Sequence, residues 1–123
     1  MVEHDIIHLR GLEFYAYHGV LPEEQRLGQK FIVDVDLYHD LQSAGISDEV
    51  GDTLNYAEVY AEIKGVVESG PYRLLEHLAE QIAETLLTTF PCDEVRVEVH
   101  KPQAPVPGLF RDISVEIRRG RKG

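Results

Sequence analysis

The feature that most constrains the fold is a segment at residues 74–87, which has the pattern of a strongly amphipathic helix. At about 100° per residue its apolar side chains share one broad arc, which must be buried against another element. These are Leu74, Leu75, Leu78, Ala79, Ile82, Ala83, Leu86 and Leu87. Glu80 and Glu84 fall outside the arc, whereas Glu76 lies at its edge. In the first turn the helix dipole favours an anion, so Glu76 is either a dipole partner or part of a functional site.

Four other segments alternate apolar and polar residues with the period of two that is typical of half-buried strands. The segment 5–17 changes phase at Gly11, which predicts one bent strand with a bulge. The alternation is regular over residues 30–38 and returns over 94–101 and 112–119. We expect the first two strands to form an antiparallel hairpin.

The connections add a second helix and complete the order of elements. Residues 18–29 contain glycine and proline breakers and are predicted to form a loop. Asn55, followed by Glu58, is an N-cap signature for a helix that ends near Glu68, before the break at residues 69–71. The order β-β-α-α-β-β predicts an α+β domain in which one four-stranded antiparallel sheet carries two helices on one face.

Length and charge restrict the class of protein. A chain of 123 residues is expected to form a single domain over residues 1–123. Its formal net charge of -10 disfavours binding to nucleic acid, and the basic residues 119–123 are interpreted as a frayed tail. No apolar segment approaches the roughly 20 residues that span a bilayer, so we expect a cytoplasmic protein with no membrane partner.

Four polar side chains lie at the predicted ends of elements, and together they suit proton transfer. They are Glu24, Tyr56, Glu76 and Lys101. Each alone is most simply a surface charge, a core-edge aromatic residue, a dipole partner or a snorkelling amine. Together, two carboxylates, a phenol and an amine suit general acid and base chemistry on a polar heterocycle without metal or cofactor.

Metal and thiol chemistry find little support in the sequence. The six histidines are scattered and form no evident zinc set, and the spacing of His4 and His8 is interpreted as incidental. The single cysteine, Cys92, excludes a disulfide framework and has no basic neighbour in the sequence that would activate it. The predicted edge strands carry no proline and few lysines, so we expect a homo-oligomer that covers them, with sites that subunits can share.

Four motifs in order, FYAYHGVLPEEQRLGQKF, DTLNYAEV, LLEHLAE and KPQAPVPG, cover nearly the whole chain. In these motifs the chain closely resembles the dihydroneopterin aldolase family of folate biosynthesis. The resemblance implies the tunnelling fold, in which four subunits join their sheets into a barrel and two rings commonly stack into an octamer. It also implies retro-aldol cleavage of dihydroneopterin to hydroxymethyl-dihydropterin and glycolaldehyde, with epimerisation as a companion reaction.

The resemblance further implies a pterin-binding set of residues. The family's anchoring glutamate falls on Glu76, whose two oxygens would accept paired N–H bonds from the aminopyrimidinone edge of the substrate. Backbone groups near Leu54 and Leu75 are implied helpers, and Val20 would line the ring pocket.

The family's proton-transfer residues fall on three other positions. Lys101 would deprotonate the side-chain hydroxyl, directly or through a water, and Tyr56 would protonate the resulting enamine carbon. Glu24, chosen over Glu23 by its interval of six from the histidine of the HG pair, would orient the lysine. No Schiff base is required, because the ring imine of the substrate can take the electrons.

Three alternatives remain open at this stage. A dihydroneopterin triphosphate epimerase would share the fold, although no basic cluster for a triphosphate is evident. A zinc-dependent pyruvoyl-tetrahydropterin synthase would need a histidine triad that the sequence does not show. A non-catalytic oligomer that binds a pterin would share the sheet but would not turn the ligand over.

Overall fold

The structure is a computed structural model that describes residues 5–121. The strands β1 (Asp5–Ala16), β2 (Gln29–His39), β3 (Glu94–His100) and β4 (Ser114–Gly120) form one antiparallel sheet in the order β1-β2-β3-β4. The helices are α1 (Pro22–Leu27), α2 (Gln42–Ser47), α3 (Tyr56–Val67) and α4 (Leu75–Thr89), and a short 3₁₀ turn spans Val50–Asp52. The predicted α+β sheet with two long helices is confirmed.

The core lies between one face of the sheet and the two long helices. Because side chains alternate across a strand, the apolar residues at alternate positions of β2 and β3 point to this face, and they are fully buried. These residues are Phe31, Val33, Val35, Leu37, Val95, Val97 and Val99. The helix α4 packs over β3 and β4, and α3 packs beside it and contacts β1. The buried side chains of α4 are Leu78, Ala79, Ile82, Ala83 and Leu86, so the predicted apolar arc is confirmed except at its first residue, since Leu74 is 52% exposed as the N-cap.

The bend of β1 occurs where the change of phase predicts it. The register of β1 against β2 shifts between Leu9 and Leu12, and Gly11 has φ +68°, a conformation that glycine adopts without strain. The N–H of Gly11 donates to Oδ1 of Asp34 at 2.7 Å. The bulge thus ties the first strand to an acidic side chain of the second.

Two short helices occupy connections that were predicted as irregular. In α1, Pro22 stands at the first helical position, Glu23 and Glu24 lie in the first turn and Gly28 ends the helix. These are ordinary start and stop signals, but six residues are too few to display a helical period. The helix α2 ends at Ser47 and has no side-chain cap at its start, and Asp48, which follows it, has φ 60°.

The opposite face of the sheet carries charges that pair across the strands. Asp36, only 4% exposed, accepts from His8 at 2.7 Å and pairs with Arg10 at 2.9 Å. Nε2 of His100 lies 2.7 Å from Asp34 and its Nδ1 lies 2.5 Å from Asp112. Burial works to lower the pKa of His100, but the bonds to the two aspartates outweigh it and raise the pKa.

The basic end of the chain is ordered as far as the structure describes it. Arg119 pairs with Glu80 at 2.7 Å, and Arg121 donates to the carbonyls of Cys92 and Phe90. The fraying predicted for residues 119–123 is therefore not seen through Arg121, because these guanidinium groups find acceptors on α4 and just beyond it. Lys122 and Gly123 lie outside the described residues, as do Met1 to His4 with one of the histidines of the sequence pair.

The single cysteine lies in the core. Cys92 is fully buried beside Leu86, and burial raises the pKa of its thiol.

Over residues 5–121, none of the helices combines the length and the apolar character that a membrane span requires.

Candidate active site

The most buried ion pair among the described residues joins Glu24 and Lys101. Nζ of Lys101 lies 2.5 Å from Oε2 of Glu24, and the two side chains are 12% and 8% exposed. Glu24 comes from the first turn of α1, and Lys101 follows the last residue of β3. The backbone N–H of Lys101 donates to the carbonyl of Ile113 at 2.8 Å, which holds this end of the strand. The structure therefore brings together two residues that are 77 positions apart in the sequence.

Both carboxylate oxygens of Glu24 are held by further donors. The N–H of Leu21 donates to Oε1 at 3.2 Å, and Nε2 of Gln29 donates to Oε2 at 3.0 Å. Burial works to raise the pKa of Glu24, but the hydrogen bonds from Lys101, Leu21 and Gln29 lower it below its ordinary range. Glu24 is thus an ionised carboxylate of fixed orientation beside the lysine.

A glycine provides the room for this carboxylate. A Cβ atom at Gly19 would lie 2.7 Å from Oε2 of Glu24 and closer still to its other carboxyl atoms. Real Cβ atoms do not approach other atoms so closely, so only glycine allows the carboxylate to sit against the backbone here. Gly19 also has φ +157°, which L side chains rarely adopt. The sequence marked Gly19 only as a loop breaker.

His18 is a second residue whose place the sequence did not reveal. It is 1% exposed, its Nε2 lies 2.6 Å from the carbonyl of Val67, and its Nδ1 accepts from the N–H of Tyr72 at 2.9 Å. Burial lowers the pKa of His18, the bond to Val67 opposes that effect, and the charge of Lys101 lowers the pKa further. Nothing in the sequence pointed to this role, because Val67, Tyr72 and Lys101, which act on the ring, are all far from His18 along the chain.

An open cavity of about 600 Å³ lies next to His18, because its lining includes Tyr72, whose N–H bonds to the ring. It is lined by Val20, Pro71, Tyr72, Arg73, Leu74 and His77. Glu76 stands between Leu74 and His77 in the chain and is exposed in the first turn of α4, and Leu75 is partly buried. The predicted positions of Val20, Leu75 and Glu76 therefore fall on or beside one concave surface.

Two of the predicted residues line a different cavity. Leu54, which is 2% exposed, and Tyr56, which is 69% exposed, border a second cavity of about 600 Å³ with residues of α2 and the 3₁₀ turn. Tyr56 is the first residue of α3, where Asn55 accepts the N–H of Ala57 at 3.0 Å as the predicted N-cap. One chain thus joins Glu24 with Lys101 but presents Tyr56 on another part of its surface.

One group of possible metal ligands occurs within residues 5–121. Donor atoms of Asp34, Glu98 and His100 lie within 4.8 Å of one another on the open face of the sheet. Both nitrogens of His100 are already engaged by Asp34 and Asp112. These bonds satisfy the imidazole as a cation between two carboxylates, so the group is explained without a metal.

Comparison with known proteins connects this geometry to a family. The family model described as dihydroneopterin aldolase matches residues 7–118. A Bacillus subtilis protein named dihydroneopterin aldolase is 46% identical over 116 residues, which cover 94% of this chain and 97% of that protein. The chain belongs to the dihydroneopterin aldolase family.

Solved structures of the dihydroneopterin aldolase family share the whole architecture. An Escherichia coli dihydroneopterin aldolase in complex with neopterin superposes with a TM-score of 0.87 at 34% identity, covering 94% of this chain and 99% of that chain. A Burkholderia dihydroneopterin aldolase bound to guanine superposes with a TM-score of 0.80 at 26% identity, covering 98% and 93%. These matches confirm the tunnelling fold of the single chain that the sequence motifs implied.

Proposed function

We propose that this chain is an aldehyde lyase that cleaves dihydroneopterin to 6-hydroxymethyl-dihydropterin and glycolaldehyde by general acid and base catalysis. The observation that carries the proposal is the buried pair of Glu24 and Lys101, joined at 2.5 Å. A cavity of about 600 Å³ is lined in part by Val20, which lies between Gly19 and Leu21, the two residues whose backbone meets the carboxylate of Glu24. A cavity of this size suits a bicyclic heterocycle. The membership of the chain in the dihydroneopterin aldolase family selects the substrate.

The proposed binding mode uses the first turn of α4. The carboxylate of Glu76 would accept two N–H bonds from the aminopyrimidinone edge, a contact strengthened by charge and directional in both bonds. Neopterin and guanine, the ligands of the two related structures, share this edge. Backbone groups near Leu75 and Leu54 would complete the in-plane contacts, and Val20 would pack against the ring.

The proposed chemistry moves protons and needs no covalent intermediate on the protein. In its neutral form, after its ammonium proton has passed to Glu24 or to solvent, Lys101 would remove the proton of the side-chain hydroxyl, directly or through a water. The adjacent carbon–carbon bond would break at the same time and release glycolaldehyde. The electrons of that bond would pass into the ring imine and form an enamine, whose carbon Tyr56 would then protonate. Glu24 would hold Lys101 in place, and such proton transfers contribute about 10² to 10⁴-fold each.

Epimerisation follows from the same steps. If glycolaldehyde turns before it leaves, its return to the enamine carbon gives the other configuration of the carbinol. We therefore expect a slower epimerase activity with the same residues. A dihydroneopterin triphosphate epimerase, or a pterin-binding protein without turnover, would differ in the products released.

The distribution of the residues supports a homo-oligomer with sites between subunits, either a tetramer or an octamer. Tyr56 and Leu54 border one cavity of the chain, whereas Val20 borders another. Two copies that brought these cavities together would unite the phenol with Lys101. We place such an assembly in the cytoplasm, with a small-molecule pterin and no nucleic acid or membrane as partner.

Product analysis tests the activity. Purified protein is incubated with dihydroneopterin, with EDTA present in a parallel reaction, and both products are quantified. Equal amounts of hydroxymethyl-dihydropterin and glycolaldehyde, unaffected by EDTA, support the proposal. Epimer without glycolaldehyde would favour the epimerase, and bound but unchanged pterin would favour the binding protein. A protein adduct trapped on Lys101 by borohydride would refute the route without a Schiff base.

Subunit mixing tests the shared site. Lys101→Ala and Tyr56→Ala proteins, each of low activity, are unfolded together and refolded. If each site takes Lys101 from one subunit and Tyr56 from its neighbour, random mixing restores about a quarter of the sites. Activity that stays at the level of the separate variants would place both residues in the same subunit.

A further inference from the structure

The buried ring of His18 has a defined protonation state. A carbonyl only accepts and an amide N–H only donates, so the proton of the neutral ring must lie on Nε2, toward Val67, while Nδ1 accepts from Tyr72. A protonated ring would direct an N–H at the N–H of Tyr72. The two bonds therefore hold His18 as one neutral tautomer.

The same ring joins two backbone segments. It stacks on the ring of Tyr72, with centroids 5.2 Å apart and planes inclined by 12°. The N–H of Gly19 also donates to the carbonyl of Tyr72 at 2.9 Å. Gly70 lies against the ring, where a Cβ atom would come within 3.2 Å of Cε1 of His18. Residues 18–20 and 70–72 are thus connected by one backbone–backbone hydrogen bond, by the bond from the N–H of Tyr72 to the His18 ring, and by the stacking of the two rings.

Both segments contribute residues to the lining of the cavity of about 600 Å³ described above. Val20 belongs to the first segment and Tyr72 to the second, and Leu74 and His77 follow the second segment along the chain. If the two segments moved apart, the cavity that leads to Glu76 would widen. The pair of Glu24 and Lys101 has its own supports in Leu21 and Gln29, which do not involve His18.

We propose that His18 is a positioning residue that sets the width of the pterin cavity. Its neutral ring does so by linking the segment 18–20, which carries Val20, to the segment 70–72, which carries Tyr72. The inference rests on the proposed function, because it assigns the cavity to the pterin. It separates binding from chemistry: loss of the link weakens pterin binding and leaves the proton-transfer pair in place.

Two substitutions divide the ring's bonds between them. His18→Asn can keep the acceptor toward Tyr72, and His18→Gln can keep the donor toward Val67. The Kd of neopterin is measured by fluorescence, together with kcat and KM for dihydroneopterin. We expect His18→Gln to raise Kd and KM about tenfold, the loss of one buried hydrogen bond. His18→Asn should stay within about threefold, and kcat of both should change little. Ile82→Val, a loss of core packing in α4, is the control and should leave Kd unchanged.

The outcomes separate this inference from the proposed activity. Unchanged Kd in both variants, an equal rise in Ile82→Val, or a fall in kcat at constant Kd would overturn the role of His18. If the variants do not fold, nitrogen NMR of the wild-type imidazole decides, because a protonated ring or a proton on Nδ1 near neutral pH would overturn it. The variants could show the expected differences in the Kd of neopterin while the wild type releases no glycolaldehyde. That result would refute the proposed activity alone.

Discussion

The two parts of the candidate site differ in how completely one chain builds them. The carboxylate of Glu24 is buried, bonded on both oxygens and paired with Lys101 at 2.5 Å. Tyr56 is 69% exposed at the start of a helix and borders a separate cavity. Within one chain the pair of Glu24 and Lys101 is held in place by buried hydrogen bonds, whereas Tyr56 lies open on the surface. Under the proposed function, the pair of Glu24 and Lys101 is the finished part of the site, and the surroundings of Tyr56 and Glu76 are a substrate enclosure that a neighbouring subunit would complete.

The strongest test removes the amine of the finished part. Lys101→Ala should lower kcat about 10³-fold, because no other amine replaces the proton acceptor beside Glu24. Stopped-flow or single-turnover measurement of glycolaldehyde release checks this. Lys30→Ala is the matched control, since Lys30 is an exposed lysine 3.9 Å from Glu13. A kcat within about threefold of wild type would remove Lys101 from the chemistry.

The next test concerns the enclosure. Glu76→Ala should raise KM and the Kd of neopterin about 100-fold, the loss of two charge-assisted hydrogen bonds, while the pair of Glu24 and Lys101 stays intact. Glu84→Ala, which alters another exposed carboxylate of α4, should leave both constants unchanged. Equal effects of the two substitutions would reduce Glu76 to a surface charge, and the distinction between its two candidate roles would disappear.

A smaller effect is expected where the finished part rests on backbone geometry. Gly19→Ala adds a Cβ that meets the carboxylate of Glu24, so the pair should be displaced and kcat should fall about tenfold. Gly65→Ala, in α3, where an added Cβ would meet no atom within 4 Å, is the control. If Gly19→Ala turned over dihydroneopterin at the wild-type rate, the position of the Glu24 carboxylate would not matter for the reaction.

The smallest effect is expected on the free energy of unfolding, through a histidine next to Lys101 in the chain. His100 precedes Lys101, and its raised pKa means that its contribution is fully present below its unfolded value of about 6.5 and is lost as the pH rises through the higher folded pKa. His100→Gln should therefore flatten the fall in the free energy of unfolding above that pH, by at most about one proton in slope. Urea unfolding at several pH values measures it. Asp112→Asn, which removes a partner of the same ring, should act in the same direction. A His100→Gln protein whose stability depended on pH in the same way as that of the wild type would contradict the assignment.

The sequence predicted the parts of the molecule that depend on local periodicity. The alternation in β2 and the apolar arc of α4 specify which faces are buried, and Asn55 marks the start of α3, because each signal lies within a few residues of its effect. The family motifs then placed Glu24 and Lys101 in one site, and the structure brings them into contact. The positions of Tyr56 and Glu76 relative to a substrate stay predictions.

The sequence could not predict contacts that arise from tertiary packing. His18 bonds to residues 49 and 54 positions away, so its neighbours in the sequence carry no trace of its role. Gly19 is required by the side chain of Glu24 rather than by its own turn alone, and α1 is too short for its period to be visible. Arg121 was assigned to a frayed tail because its acceptors, the carbonyls of Phe90 and Cys92, lie about thirty residues earlier.

The single, buried cysteine can serve as a probe of local opening of the chain. Cys92 is fully buried and its thiol pKa is raised, so a thiol reagent such as a chromogenic disulfide can modify it only when the end of α4 opens. The wild-type chain therefore carries its own reporter of local opening, with no competing thiol and no engineered label. Its labelling rate with and without neopterin would measure how far ligand binding suppresses motions at the far end of the helix that begins at Leu75.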